Sequence, residues 1–167
     1  MYDRLTASDI KKMEEEIEYR KLELRKELIQ DVKDARAQGD LSENFEYYAA
    51  KREKNRNESR IRHLERMIRT AQVIDDSSKE DEVGMNDRVD VYFEEDGLEE
   101  SYRIVTTVRA NSLQGLISIE SPLGKALMGK KKGDRVEVVV NPTYSYYLII
   151  KNIEKIDDDS DDKIRGY

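Results

Sequence analysis

The sequence predicts an α+β chain: an N-terminal antiparallel α-helical hairpin followed by an antiparallel sheet domain with one short helix. Three observations carry this. Residues 1 to about 75 contain one glycine, Gly39, and no proline, and are dense in Glu, Lys, Arg, Leu and Ile. From Val83 to Ile156 come both prolines, Pro122 and Pro142, most of the glycines, and β-branched runs such as Val136-Glu137-Val138-Val139-Val140. Charged residues make up 40% of the chain and hydrophobic ones 37%, with two Phe and no Trp. That is too polar for one large core and suits a long helical element bathed in solvent.

In the first region Ile10, Met13, Ile17, Leu24, Leu28, Val32 and Ala35 recur at spacings of three, four and seven, the apolar stripe of a helix with one neighbour. Thr6 or Ser8 supplies a cap for its start. After Gly39 a second stripe begins with Phe45 and Tyr48, turns polar, and resumes at Ile61, Leu64, Ile68 and Ala71. Two helices of roughly 30 residues, each about 45 Å long, bury their stripes most simply against each other. The hairpin is expected over residues 1–75, with its turn near residues 38–42 at the far tip. The polar, acidic stretch 76–82 reads as a linker. Strands are expected at Arg88–Phe93, Tyr102–Val108, Leu116–Ile119, Val136–Val140 and Tyr146–Ile153, within a domain spanning 83–156. Between them, Pro122 opens a short helix and Gly129 stops it. The acid run Asp157-Asp158-Asp159-Ser160-Asp161-Asp162, in the segment 157–167, is expected to fray.

Composition excludes several kinds of chemistry. With no Cys there is no disulfide, thiolate metal site or Cys nucleophile. One histidine, His63, rules out a His-pair metal site. No run approaches the roughly 18 apolar residues of a membrane span, and the N-terminus lacks the apolar core of a signal peptide. A cytoplasmic protein is expected.

The densest cluster of candidates is Gly39-Asp40-Leu41-Ser42-Glu43-Asn44-Phe45-Glu46-Tyr47. On spacing alone, Gly39 ends one helix, Asp40 caps the next and Glu43 reaches back as a capping box. The same carboxylates at the end of a rod make an acidic point. Mg²⁺ is commonly held by a few carboxylates plus water and substrate phosphates, so such a point is half a metal site. Residues 51–69 carry eight cations against three glutamates, a net of +5 in a chain of net −7. Lys51, Arg52, Arg56 and Arg60 in this stripe suit a nucleic-acid backbone; pairing with the glutamates of the first helix explains the stripe as well. Tyr47 and Tyr48 suit either base stacking or closure of the hairpin end.

Residues 39–51 resemble the tip motif of the bacterial transcript-cleavage factors of the GreA/GreB type, and Ile117 to Lys130, with Ser121-Pro122-Leu123-Gly124, resembles that family's second signature. The likeness runs from about Leu5 to Lys155. It implies a coiled-coil hairpin that enters the secondary channel of RNA polymerase and an FKBP-like C-terminal domain that docks at the channel rim. Asp40 and Glu43 would be the catalytic tip carboxylates, helping to hold a Mg²⁺ shared with the polymerase, with Ser42, Asn44, Glu46 and Tyr47 supporting the tip. Ser121, Pro122 and Leu123 would face the polymerase. The chain would be no enzyme by itself, with no cofactor of its own; it would activate the polymerase's cleavage of backtracked RNA. Its implied partners are bacterial RNA polymerase and the nascent RNA 3′ end, with a weak DNA contact at most, and it is expected to be a monomer. Asp9, Arg109-Ala110-Asn111, Asn141-Pro142-Thr143 and the Asp-rich segment depart from the family pattern. They leave open a paralogue that occupies the channel and modulates or inhibits transcription without cleavage.

Overall fold

The computed structural model describes residues 3–39, 44–156, 159 and 162–166. It has the expected α+β class and divides into two compact units, Asp9–Ala71 and Arg4–Ser8 with Gln72–Gly166.

The first unit is the helical hairpin. Its first arm comprises α1 (Ala7–Tyr19), a π-helical turn (Arg20–Leu24) and α2 (Arg25–Arg36); its second arm is α3 (Phe45–Thr70). The arms run antiparallel, since cross-helix partners descend in one arm as they ascend in the other: Glu16 with Arg60, Arg20 with Asn57, Ala35 with Asn44. Met13, Ala35, Ile61 and Leu64 form the buried apolar part of the seam. Its middle is polar. Arg60, only 5% exposed, donates through Nε to Glu16 Oε2 at 2.8 Å. Arg20 Nη1 donates to Asn57 Oδ1 at 2.9 Å, and Asn57 Nδ2 returns a bond to the Arg20 carbonyl at 3.3 Å. That carbonyl also accepts from the Arg25 N–H, the i→i+5 bond that defines the wide turn. A buried layer of this kind adds little net stability, because desolvation offsets attraction, but it penalises any register in which the charges go unpaired.

Arg25 grips Glu58 with two bonds, 2.7 and 2.9 Å. This bidentate hydrogen bonding holds the Glu58 carboxyl below its usual range; desolvation opposes the shift, and the charges of Arg25, Lys54 and Arg62 assist it. A lowered folded-state pKa means that Glu58 stabilises fully above its unfolded value of about 4.3 and loses that contribution as pH falls through the folded value. We expect Glu58→Gln to cost about 1 kcal/mol or less at pH 7 for this half-exposed pair. The gap between urea melts of variant and parent should narrow progressively as pH falls below the unfolded value of about 4.3. A gap that does not shrink at all on acidification would mean that the pair is not the source.

The second unit holds a five-stranded sheet in the order β5-β4-β3-β7-β6, built from β3 (Arg88–Phe93), β4 (Leu98–Val105), β5 (Leu116–Ser118), β6 (Arg135–Asn141) and β7 (Tyr144–Glu154). Neighbours are antiparallel except β4 and β5, which pair in parallel. Two short 3₁₀ turns, Thr107–Arg109 and Ser112–Gln114, carry the chain back between those two strands and so reset its direction. Alternation puts Val89, Val91, Ile104, Val136, Val138, Leu148 and Ile150 on one face, where Leu127 of α4 (Pro122–Leu127) joins them in the core. Gly124 of α4 lies so close to β5 that a Cβ there would stand 2.0 Å from the Ser118 carbonyl oxygen.

Three boundaries differ from the sequence reading. Residues 4–8 belong with the sheet unit because Arg4–Leu5 (β1) pairs in parallel with Gln72–Val73 (β2). The stretch 76–82 is tied down at its end, where Lys155 Nζ binds the Glu82 carbonyl at 2.6 Å, Asp87 Oδ2 at 2.7 Å and Ser78 Oγ at 3.0 Å. The acid-rich segment, expected to fray, is anchored at Asp162, whose carboxylate lies against Arg103 and Arg109.

Candidate functional site at the hairpin turn

The turn that joins α2 to α3 is framed by Gly39 and Asn44. Asp40, Ser42 and Glu43, the central candidates, lie outside the described residues. Their flanks are well defined. Gly39 has φ +134°, a conformation that side-chain-bearing residues rarely adopt, and so α2 gives way to the turn there. Asn44, not Asp40, caps α3: its Oδ1 accepts from the Tyr47 N–H at 3.0 Å. Its Nδ2 donates to the Ala35 carbonyl at 2.5 Å, one of the last carbonyls of α2. One amide thereby serves both helix ends.

The aromatic residues are sorted differently from the expected stripe. Tyr47 is buried, with the Arg36 guanidinium 5.6 Å from its ring centroid and the Tyr48 ring edge-on at 5.4 Å. A hydrogen bond with Arg36 lowers the Tyr47 hydroxyl pKa against the effect of burial, and the charges of Lys51 and Arg36 add to that lowering. Tyr47 therefore closes the hairpin end. Phe45, assigned to the buried stripe from its spacing, is 86% exposed. An aromatic ring presented to solvent beside an acidic turn is the residue that pattern reading missed, because a stripe read from residue 45 cannot know that the helix begins there. Glu46 is exposed in the first turn of α3, where the helix dipole favours an anion.

Residues 4–73 match the family model described as "Transcription elongation factor, N-terminal", and residues 78–155 match "Transcription elongation factor, GreA/GreB, C-term". The GreA transcription elongation factor of Thermoanaerobacter pseudethanolicus is 48% identical over 137 residues, covering 81% of this chain and 87% of that one. The chain belongs to the GreA/GreB family of transcription elongation factors. GreA of Bacillus subtilis is 44% identical over 134 residues, which cover 80% of this chain and 85% of its own. Among solved structures, Gfh1 of Thermus thermophilus is 26% identical, covers 93% of this chain and 100% of its own, and superposes with a TM-score of 0.42.

The other candidates of this GreA/GreB-family chain are placed as follows. Lys51 and Arg52 are exposed on α3, and Arg56 is exposed beside Glu53 at 3.3 Å. Arg60 leaves the RNA-facing set: it is buried, and its guanidinium is committed to Glu16. The inner part of the basic stripe therefore pairs with the first arm, while Lys51, Arg52 and Arg56 are exposed to solvent. In the second signature Ser121 is the α4 cap, its Oγ accepting from the Gly124 N–H at 3.0 Å and donating to the Ser118 carbonyl at 2.7 Å. Pro122 sits exposed at the first helical position, and Leu123 packs half-buried on the core. Each thus has a local folding duty, and Pro122 also offers its ring to solvent.

No group of three or more His, Asp or Glu among the described residues is placed to hold a metal ion, and no helix of the described residues is long and apolar enough to cross a membrane. Asp40 and Glu43 supply hard carboxylate oxygens, the donor chemistry that suits Mg²⁺, but too few of them to complete a site.

Proposed function

We propose that the chain binds RNA polymerase, enters its secondary channel with the hairpin turn, and stimulates the polymerase's own Mg²⁺-dependent cleavage of backtracked RNA, so that arrested complexes resume. The observation that carries this is at the start of α3: Asn44 caps that helix and also bonds the Ala35 carbonyl of α2, beside a turn whose sequence holds Asp40 and Glu43. Membership of the elongation-factor family supports the choice of partner.

In this reading Asp40 and Glu43 complete the coordination of a Mg²⁺ whose remaining ligands come from the polymerase, and they orient the attacking water. The metal, when bound, stabilises the attacking and leaving oxygens of the phosphodiester. Phe45 offers a stacking face for an unpaired base beside the reacting bond. Lys51, Arg52 and Arg56 steer the RNA backbone along α3. Ser121, Pro122 and Leu123 present the α4 end of the sheet unit to the polymerase rim.

The test is a reconstituted arrested elongation complex with Mg²⁺, given this protein or buffer, with transcripts resolved by length. Shortening of the transcript followed by renewed extension is expected. Binding without shortening would make the chain a channel occupant that modulates transcription instead.

A further inference from the structure

We propose that Arg103, Arg109 and Asn86 form an oxyanion-binding site on the sheet unit, that the chain's own Asp162 carboxylate is its resident ligand, and that a phosphate or carboxylate takes its place when Asp162 is withdrawn. The site owes nothing to the polymerase reading.

The guanidiniums are positioned by the sheet unit itself. Asn86 lies buried just before β3 with φ +72°, a left-handed conformation that asparagine tolerates. Its backbone N–H is fixed to the Ile104 carbonyl at 2.7 Å. From there its Oδ1 accepts from Arg109 Nη1 at 2.7 Å, and its carbonyl accepts from Arg103 Nε at 3.1 Å. Thr106 Oγ1 accepts from Arg109 Nε at 3.3 Å. One residue thus aims both cations, and neither Asn86 nor Thr106 belongs to the acidic segment.

The two cations converge on one carboxylate. Arg103 Nη1 donates to Asp162 Oδ1 at 2.6 Å, and Arg109 Nη1 donates to Asp162 Oδ2 at 2.7 Å. Asp159 Oδ2 stands 3.9 Å from Arg109 Nη1. The Arg109 side chain is fully buried, and the Arg103 side chain is 12% exposed. Each oxygen of one carboxylate thus accepts a charge-assisted bond from a different guanidinium, and such bonds to ionised groups are the strong ones.

Asp162 reaches this cradle on a segment fastened by the Arg165 N–H to the Val108 carbonyl at 2.7 Å and by the Asp162 N–H to the Asp159 carbonyl at 3.0 Å. The cradle is built by the domain and the ligand is delivered by a peripheral segment, so the two can separate while the sheet stays folded. Removing one partner of a buried ion pair is strongly disfavoured, so a cradle without the Asp162 carboxylate gains from another anion, in competition with Asp159, whose Oδ2 stands 3.9 Å from Arg109 Nη1. A tethered carboxylate acts at an effective concentration in the millimolar range, and a free anion binds the parent protein only by exceeding it.

The experiment is thermal unfolding of the full chain and of two variants, Asp162→Ala and Asp162→Asn, in KCl, potassium phosphate and potassium acetate at equal ionic strength. In KCl, Asp162→Ala should lower the Tm of the sheet unit by about 10 °C or more, with a smaller loss for Asp162→Asn. Phosphate at about ten times its dissociation constant should restore about 5 °C or more to both variants and leave the parent unmoved. Recovery in phosphate alone assigns the site to phosphate, and equal recovery in acetate assigns it to carboxylates. An unchanged Tm in both variants, or destabilised variants that respond to neither anion, would overturn the proposal.

Discussion

Asp40→Asn combined with Glu43→Gln is expected to leave helicity and polymerase binding intact while lowering the rate of transcript shortening by about 100-fold or more. The substitutions keep side-chain volume and remove only charge and metal affinity. Folding should not suffer, because the start of α3 is secured by Asn44, which accepts from the Tyr47 N–H and donates to the Ala35 carbonyl. The measurement is the arrested-complex assay, paired with a binding titration. Undiminished cleavage by the double variant would refute the role given to the turn, and loss of binding as well would place Asp40 and Glu43 in docking.

Gly124→Ala is expected to destabilise the sheet unit by about 3 kcal/mol or more. The added methyl would stand 2.0 Å from the Ser118 carbonyl oxygen and 2.9 Å from its carbon, backbone atoms that cannot swing aside as a side chain does. The Ser118 carbonyl is also the acceptor for both the Ser121 N–H, at 3.0 Å, and the Ser121 hydroxyl, so displacing it undoes the α4 cap. Gly124 is therefore a glycine for space, not for backbone freedom. A fall in Tm of roughly 10 °C or more, with hairpin helicity retained by circular dichroism, is the expected readout. A Tm within about 2 °C of the parent would mean that α4 does not seat against β5 as described.

Much of this architecture was legible from periodicity. Alternation in Val136–Val140 and the three-four spacing of Ile61, Leu64 and Ile68 are set by which side chains must leave water, and those segments form β6 and α3. What pattern could not reach depends on partners distant in sequence. The burial of Arg60 requires knowing that Glu16 lies opposite, 44 residues away. The parallel β4–β5 pairing follows from two 3₁₀ turns with no strong local signature. The anchoring of Asp162 is the clearest case: an acid run reads as solvated tail until two buried arginines, Arg103 and Arg109, are found waiting for it. At the turn, the division of labour between Asn44, Tyr47 and Phe45 emerged only from coordinates.

The π-helical turn at Arg20–Leu24 acts as a vernier on the first arm. Arg20, which reaches Asn57 across the seam, and the apolar stripe positions Leu24, Leu28 and Val32 step by four residues, more than the 3.6 of an α-helical repeat, and the wide turn absorbs part of that surplus. Removing one residue there would rewind the arm by about 100° and roll α2 away from α3. The azimuth with which α2 hands the chain to Gly39 is thus dialled in some fifteen to twenty residues upstream, on the order of 25 Å along the helix.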